Sequence, residues 1–152
     1  MAKAKAIVSA CLLGEFVRYD GATKINNEVI TALEAYEIIP FCPEDPVMGT
    51  PRGRISVIEV SGQREVLVDE SGVKVTSALL LQVKQLLSLH SDAEIVVLKS
   101  KSPSCGLGTT PILDGDGHEL RRGDGIAAEA LREVFDARIY DENTILQKDN
   151  IC

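Results

Sequence analysis

The chain has 152 residues, enough for one domain with its own hydrophobic core, and it is 45% hydrophobic and 26% charged. This composition argues against intrinsic disorder and against membrane-spanning segments. The formal net charge is −7 and the aromatic share is 4% with no Trp, so neither DNA nor long RNA is an expected partner.

Short apolar runs alternate with helical patterns along the chain. Each run is bounded by polar residues and has the length of a strand that is covered on both faces. The predicted strands are residues 5–10, 37–41, 94–98 and 137–140, and the predicted helices are residues 25–36, 78–89 and 125–135. Thr76 or Ser77 could cap the second helix, and Asp124 could cap the third. Strands that alternate with helices indicate a parallel sheet with helices on both faces.

Two segments interrupt this alternation and are predicted to be β-hairpins. The larger spans residues 55–69 with its turn at 61–64, and the smaller spans residues 112–120 with its turn at 114–117. The fold class is therefore α/β: one three-layer, Rossmann-like domain over residues 1–152, with a mostly parallel sheet of about four strands and β-hairpin insertions. The larger hairpin could present an edge for dimerisation or cover the sheet, so monomer and homodimer both remain open.

The four cysteines are widely spaced. No two of them form a C-x-x-C pair, which excludes a zinc ribbon, a thioredoxin motif and a ferredoxin run. The apolar stretch before Cys11 is shorter than the about 7–15 residues of a signal peptide's hydrophobic region, so a reducing, cytoplasmic location is expected. In such a compartment, clustered thiols bind metals or catalyse reactions more often than they form disulfides.

Three of the cysteines follow predicted strands. Cys11 comes directly after the first strand, Cys42 ends the second, and Cys105 lies in the loop after the third. The carboxyl ends of parallel strands meet at one edge of a sheet, where open α/β proteins bind their ligands. Three thiolates that meet there repel one another, and a metal ion or cluster would stabilise them. Each cysteine taken alone could instead be a small buried hydrophobe, and Cys152 has no comparable position.

A carboxylate lies beside the second of these cysteines. Glu44 follows Cys42 by two residues, and burial next to a cluster could suit it for proton transfer. In the alternative interpretation, Glu44 or Asp45 caps the turn that follows. The sequence alone leaves both roles open.

Other polar residues near the same edge are candidate substrate contacts. Ser102 and Ser104 offer two hydroxyl groups in the tight loop that leads to Cys105. Asp20 could contact the substrate or cap the helix that follows it. Arg52 could bring a guanidinium to this edge or form a surface ion pair.

Six short segments form an ordered set along the chain. They are SACLLG (residues 9–14), RYDG (18–21), CPE (42–44), PR (51–52), KSKSPSCG (99–106) and GDGI (123–126). Together they resemble a family of small bacterial proteins whose characterised representatives are thiouracil desulfidases, and the resemblance spans most of the chain. In many relatives a paired glycine follows the CPE segment, whereas residues 45–50 of this chain read DPVMGT.

The resemblance implies a cofactor and a reaction. The implied cofactor is a [4Fe-4S] cluster held by Cys11, Cys42 and Cys105, with one iron left without a protein ligand. That iron would act as a Lewis acid on the thiocarbonyl sulfur of a small thiolated base such as 2-thiouracil. Water would replace the sulfur at the ring carbon, giving uracil and hydrosulfide.

The same resemblance implies roles for the polar residues. Glu44 would transfer protons and Ser102 would position the base or the water, while Asp20 and Ser104 would join Ser102 in binding the substrate. Two alternatives use the same three cysteines. One is a sulfur or redox carrier without catalysis, and the other is a zinc ion bound by three thiolates.

Overall fold

The computed structural model describes residues 3–14, 20, 24–49 and 52–148. The strands in these ranges are β1 (Lys5–Ser9), β2 (Glu37–Phe41), β3 (Ile55–Val60), β4 (Gln63–Val68), β5 (Ile95–Leu98), β6 (Thr110–Leu113), β7 (Glu119–Gly123) and β8 (Ile139–Asp141). The α-helices are α1 (Asn27–Ala32), α2 (Asp45–Met48), α3 (Thr76–His90), α4 (Ile126–Phe135) and α5 (Thr144–Lys148), with 3₁₀ turns at Ala10–Leu13 and Asp136–Arg138. No helix in the described ranges has the length and apolar composition needed to cross a membrane.

The predicted parallel sheet is confirmed. Its strand order is β2-β1-β5-β8, and every neighbouring pair is parallel. The central strands are the most apolar ones, and all residues of β5 are buried. Pro40 has no amide hydrogen to donate. It is tolerated in β2 because this strand lies at an edge of the sheet and, among the described strands, has a neighbour on one side only.

Helices cover both faces of this sheet and produce the three predicted layers. Successive residues of a strand point to opposite faces. On one face Ile7 and Val96 pack against side chains of α3 and α4, and on the other face Val8 and Val97 pack against α1 and α5. The sheet therefore separates two apolar clusters, one on each of its faces.

Both predicted hairpins are present, but they are not separate insertions. They join in a second sheet of order β4-β3-β6-β7, in which β3 and β6 run parallel. Val57 pairs with Ile112 across this junction, and both side chains are fully buried against Leu79 of α3 and Ile126 of α4. A two-stranded hairpin is marginally stable alone, so the two hairpins share one apolar face.

The predicted helix caps are wrong, because tertiary contacts take the capping side chains. The Thr76 hydroxyl donates to the Glu65 carboxylate and accepts the Val66 amide at 2.8 Å, and the cap position of α3 is Val75. Asp124 accepts the amide of Gly108 and pairs with Arg132, so it does not cap α4. Instead, amides in the first turn of α4 donate to the backbone carbonyl of Ser104, in the loop that precedes Cys105.

Candidate functional site

One cavity opens at the carboxyl ends of β1, β2 and β5. Its volume is about 640 Å³, and Cys11, Cys42 and Cys105 all line it. Ser56 of β3 and Asp69, directly after β4, also line it. The cavity at this edge of the sheet therefore brings together three thiols from distant parts of the chain.

Each cysteine is placed by the end of a strand. Cys11 lies in the 3₁₀ turn after β1, which Gly14 closes in the left-handed region at φ +95°. Cys42 directly follows β2, and Cys105 lies in the loop after β5. Cys11 and Cys42 are half-buried and Cys105 is buried, and these three thiols are not joined in disulfides. Cys152 lies outside the described residues.

The surroundings of these thiols disfavour their ionisation. Burial raises the pKa of Cys105, and the nearby charges of Glu44, Cys42 and Cys11 raise it further, against a hydrogen bond from Ser104. Burial also raises the pKa of Cys42, although the amide of the residue three positions later approaches its Sγ at 3.5 Å. A bound cation would stabilise the thiolate forms against this effect.

The loop that carries Cys105 is held by a dense set of hydrogen bonds. The Ser102 hydroxyl oxygen accepts the amides of Ser104 and Cys105 at 3.3 and 3.1 Å. The Ser102 carbonyl accepts the Gly106 amide at 3.0 Å and the Thr110 hydroxyl at 2.6 Å. With the Ser104 carbonyl bound by α4, both ends of the loop are anchored, so hydrogen bonds of the chain itself hold Cys105 in position.

Close packing of α4 against this loop leads to a prediction about Gly125. An added Cβ would lie 2.4 Å from the Ser104 carbonyl carbon, so Gly125→Ala is expected to displace the loop and to reduce the free energy of unfolding by about 1–3 kcal/mol. Gly115→Ala is the matched control, because the nearest atom to its Cβ is 3.7 Å away. Urea unfolding measures both variants, and equal midpoints would contradict the packing argument.

Glu44 and Arg52 form a buried pair beside the cysteines. Glu44 is 8% exposed, accepts the Ser104 hydroxyl at 2.7 Å through Oε2, and meets the Arg52 Nε at 3.4 Å through Oε1. Glu44 is the N-cap residue of α2, but its side chain makes no capping hydrogen bond, contrary to the alternative interpretation. Arg52 is not in a surface ion pair either, because its side chain is only 4% exposed.

The other candidate substrate contacts differ in whether they line the cavity and in how exposed they are. Ser102 lines the cavity and is half-buried, whereas Ser104 lines it with no exposed surface and directs its hydroxyl to Glu44. Asp20 is exposed and is not among the described residues that line the cavity. Its neighbours Arg18, Tyr19 and Gly21, and Pro51 before Arg52, lie outside the described residues. The substrate roles of these side chains stay predictions.

A second buried carboxylate, Glu142, was missed by the sequence reasoning. Its Oε1 accepts the Ser100 amide at 2.7 Å, and its Oε2 accepts the Ser100 hydroxyl at 2.8 Å and meets the Lys99 ammonium at 3.0 Å. Lys99 and Ser100 line the cavity at the end of β5. Glu142 follows β8, so the strand-edge argument that identified the cysteines would also have identified it.

The ionisation of Glu142 gives a pH-dependent prediction. Burial opposes its charge, but the Ser100 amide and the Lys99 ammonium outweigh burial and hold its pKa below the ordinary range. A carboxyl with a lowered pKa stabilises the folded state fully above its ordinary pKa of about 4.3, and this contribution is lost as the pH falls through the lowered value. Glu142→Gln is therefore expected to cost about 1–3 kcal/mol at pH 7.

Urea unfolding at a series of pH values tests this expectation. The difference between the native chain and Glu142→Gln should be constant above pH ~5 and shrink below about pH 4.3. Glu133→Gln is the control, because Glu133 is exposed on α4. A difference that persists unchanged into acid would mean that the charge of Glu142 does not stabilise the fold.

Comparisons with known proteins identify relatives over nearly the whole chain. A family profile described as 2-thiouracil desulfurase matches residues 6–143. The uncharacterized protein YbbK of Bacillus subtilis (strain 168) is 28% identical over 149 residues, which cover 91% of this chain and 96% of YbbK. The solved structure of TudS, a [4Fe-4S]-dependent thiouracil desulfidase, is similar with a TM-score of 0.68 and 30% identity, covering 99% of this chain and 100% of that one. The region that matches the family profile includes all three cysteines of the cavity.

Proposed function

The chain belongs to the 2-thiouracil desulfurase family, and on that premise we propose that it hydrolyses the C=S bond of a thiolated nucleobase with a [4Fe-4S] cluster as cofactor. The expected products from 2-thiouracil are uracil and hydrosulfide. The observation that carries the proposal is the convergence of Cys11, Cys42 and Cys105 on one cavity. TudS, which is 30% identical to this chain, is a [4Fe-4S]-dependent thiouracil desulfidase, and the proposal assigns the same cofactor and reaction to this chain.

The donor set of the cavity fits the proposed cluster. Cysteine thiolates are the usual protein ligands of iron–sulfur clusters, and three cysteines for four irons leave one iron open to the substrate. Burial and the charge of Glu44 raise the pKa of Cys42 and of Cys105, and the charge of Arg52 offsets this only in part for Cys42, so a bound group that supplies positive charge fits the pocket. The cavity of about 640 Å³ leaves room for a small base beside the cluster. When bound, the cluster would supply a Lewis-acidic iron that polarises the C=S bond.

Side chains of the protein would position the attacking water and transfer the protons. Glu44 is a buried carboxylate whose charge acts on both Cys42 and Cys105, and it would accept a proton from the attacking water and return one to the ring. Ser102 would position the base or the water, because two backbone amides fix its oxygen at the cavity wall. Ser104 would bind the substrate less directly, since its hydroxyl donates to Glu44.

Anaerobic reconstitution tests the proposal against both alternatives. The protein is purified without oxygen, its iron, sulfide and zinc contents are measured, and it is then incubated with 2-thiouracil. We expect a brown protein that forms uracil and sulfide in equal amounts over many turnovers, and no activity after removal of the cluster. Zinc in place of iron would overturn the cofactor, and a single sulfide per chain without further turnover would indicate a carrier.

A further inference from the structure

Arg52 carries a positive charge on a side chain that is almost fully buried. Its side chain is 4% exposed, its Nε lies 3.4 Å from Glu44 Oε1, and its Nη1 donates to the Gly49 carbonyl at 3.0 Å. Arg is almost never fully buried unless it is paired, because removing its charge from water is costly. The pair with Glu44 offsets that cost, and it places a guanidinium at the cavity wall.

The contacts of Glu44 show what this guanidinium does. One carboxylate oxygen meets Arg52, and the other accepts the Ser104 hydroxyl at 2.7 Å. Ser104 is itself fixed, because it is fully buried and its backbone carbonyl is bound by the first turn of α4. The carboxylate is thus held from two sides, by the segment that follows α2 and by the loop that carries Cys105.

We propose that Arg52 is a positioning residue, which holds the Glu44 carboxylate in the orientation needed for proton transfer and does not itself bind the substrate. This inference rests on the proposed function, in which Glu44 transfers the protons. A carboxylate that is held at one oxygen can rotate about its last side-chain bond, whereas one held at both oxygens cannot. Misplacing a catalytic group by about 1 Å costs on the order of 100-fold in rate.

Steady-state kinetics of two Arg52 variants separate positioning from substrate binding. In cluster-loaded protein, Arg52→Met should lower kcat about 100-fold while KM stays nearly unchanged, because only the transition state is affected. Arg52→Lys keeps the charge but not the planar guanidinium, so its kcat should lie between that of the native protein and that of Arg52→Met. Arg121→Met is the control, since Arg121 pairs with Glu59 on the exposed face of the second sheet. A raised KM with unchanged kcat would overturn the proposal and assign Arg52 to the substrate.

A structure of the cluster-free Arg52→Met variant supplies a readout that does not depend on activity. We expect the Glu44 carboxylate to be rotated about its last side-chain bond, so that Oε1 leaves its present position while Oε2 keeps its hydrogen bond to the Ser104 hydroxyl and Cys105 keeps its place. An unchanged orientation of the carboxylate would overturn the proposal. If Arg52→Met does not fold, the same orientation is read in Arg52→Lys. Should the native protein release no sulfide from 2-thiouracil, the proposed function fails, whereas this orientation still decides whether Arg52 positions Glu44.

Discussion

Replacing Cys105 with serine is expected to abolish binding of the iron–sulfur cluster and, with it, all sulfide release from 2-thiouracil. Cys105 is the most buried of the three thiols, and its loop is anchored by hydrogen bonds at both ends. A serine hydroxyl in the same place ionises far less readily than a thiol and is a much weaker ligand for the iron of such a cluster. Only the half-buried thiols of Cys11 and Cys42 would remain to hold the cluster. Iron and sulfide content after anaerobic reconstitution, together with visible absorbance, measure the loss.

A second cysteine variant serves as the control for this result. Cys152→Ser should bind the cluster as the native chain does, because Cys152 follows no predicted strand and belongs to none of the segments that resemble the family. Unfolding of Cys105→Ser should begin near the same urea concentration as that of the cluster-free native protein, since the two side chains are similar in size. Full iron content in Cys105→Ser would remove the basis of the proposed site.

The parallel sheet could be predicted because its strands depend on short-range information. Each apolar run needs only its own composition and its polar ends to be identified as a strand covered on both faces. All four predicted parallel strands are present, and they lie in one sheet as β2, β1, β5 and β8. The cavity followed from the same reasoning, because strand direction determines where Cys11, Cys42 and Cys105 emerge.

Pairing between distant segments could not be predicted in the same way. The two hairpins were identified from their turns, but their union depends on Val57 meeting Ile112 across a gap of more than 50 residues. The capping predictions failed for the same reason. Local propensity assigned Thr76 and Asp124 to helix ends, whereas the Glu65 carboxylate and the Gly108 amide, 11 and 16 residues away in the sequence, bind those side chains.

The site shows the same division between local and distant information. Glu44 and Ser104 were each selected from their neighbourhood in the sequence, but the 2.7 Å bond that joins them spans 60 residues. Glu142 was not selected, although it binds Ser100 across 42 residues. Residue type and strand position thus identify candidates, and only the folded chain shows which of them act on one another.

Glu44→Gln is expected to leave the cluster in place and to lower kcat for sulfide release by about 10²–10⁴-fold, the usual contribution of a general acid–base group. Glutamine has nearly the same shape, and its carbonyl oxygen can still accept the Ser104 hydroxyl, so the loop around Cys105 should keep its structure. The amide cannot take up a proton from the attacking water. Turnover with 2-thiouracil under anaerobic conditions, compared at equal iron content, measures the effect.

The control for this variant is Glu34→Gln, because Glu34 is exposed and is not among the described residues that line the cavity. It should match the native chain in both iron content and kcat. Two results would count against the role of Glu44. A variant with full activity would show that another group moves the protons, and a variant that lost its iron would show that Glu44 acts on the cluster and not on the water. Retained iron with lost turnover is the combination that requires an acid–base group at this position, since a merely structural carboxylate would reduce both together.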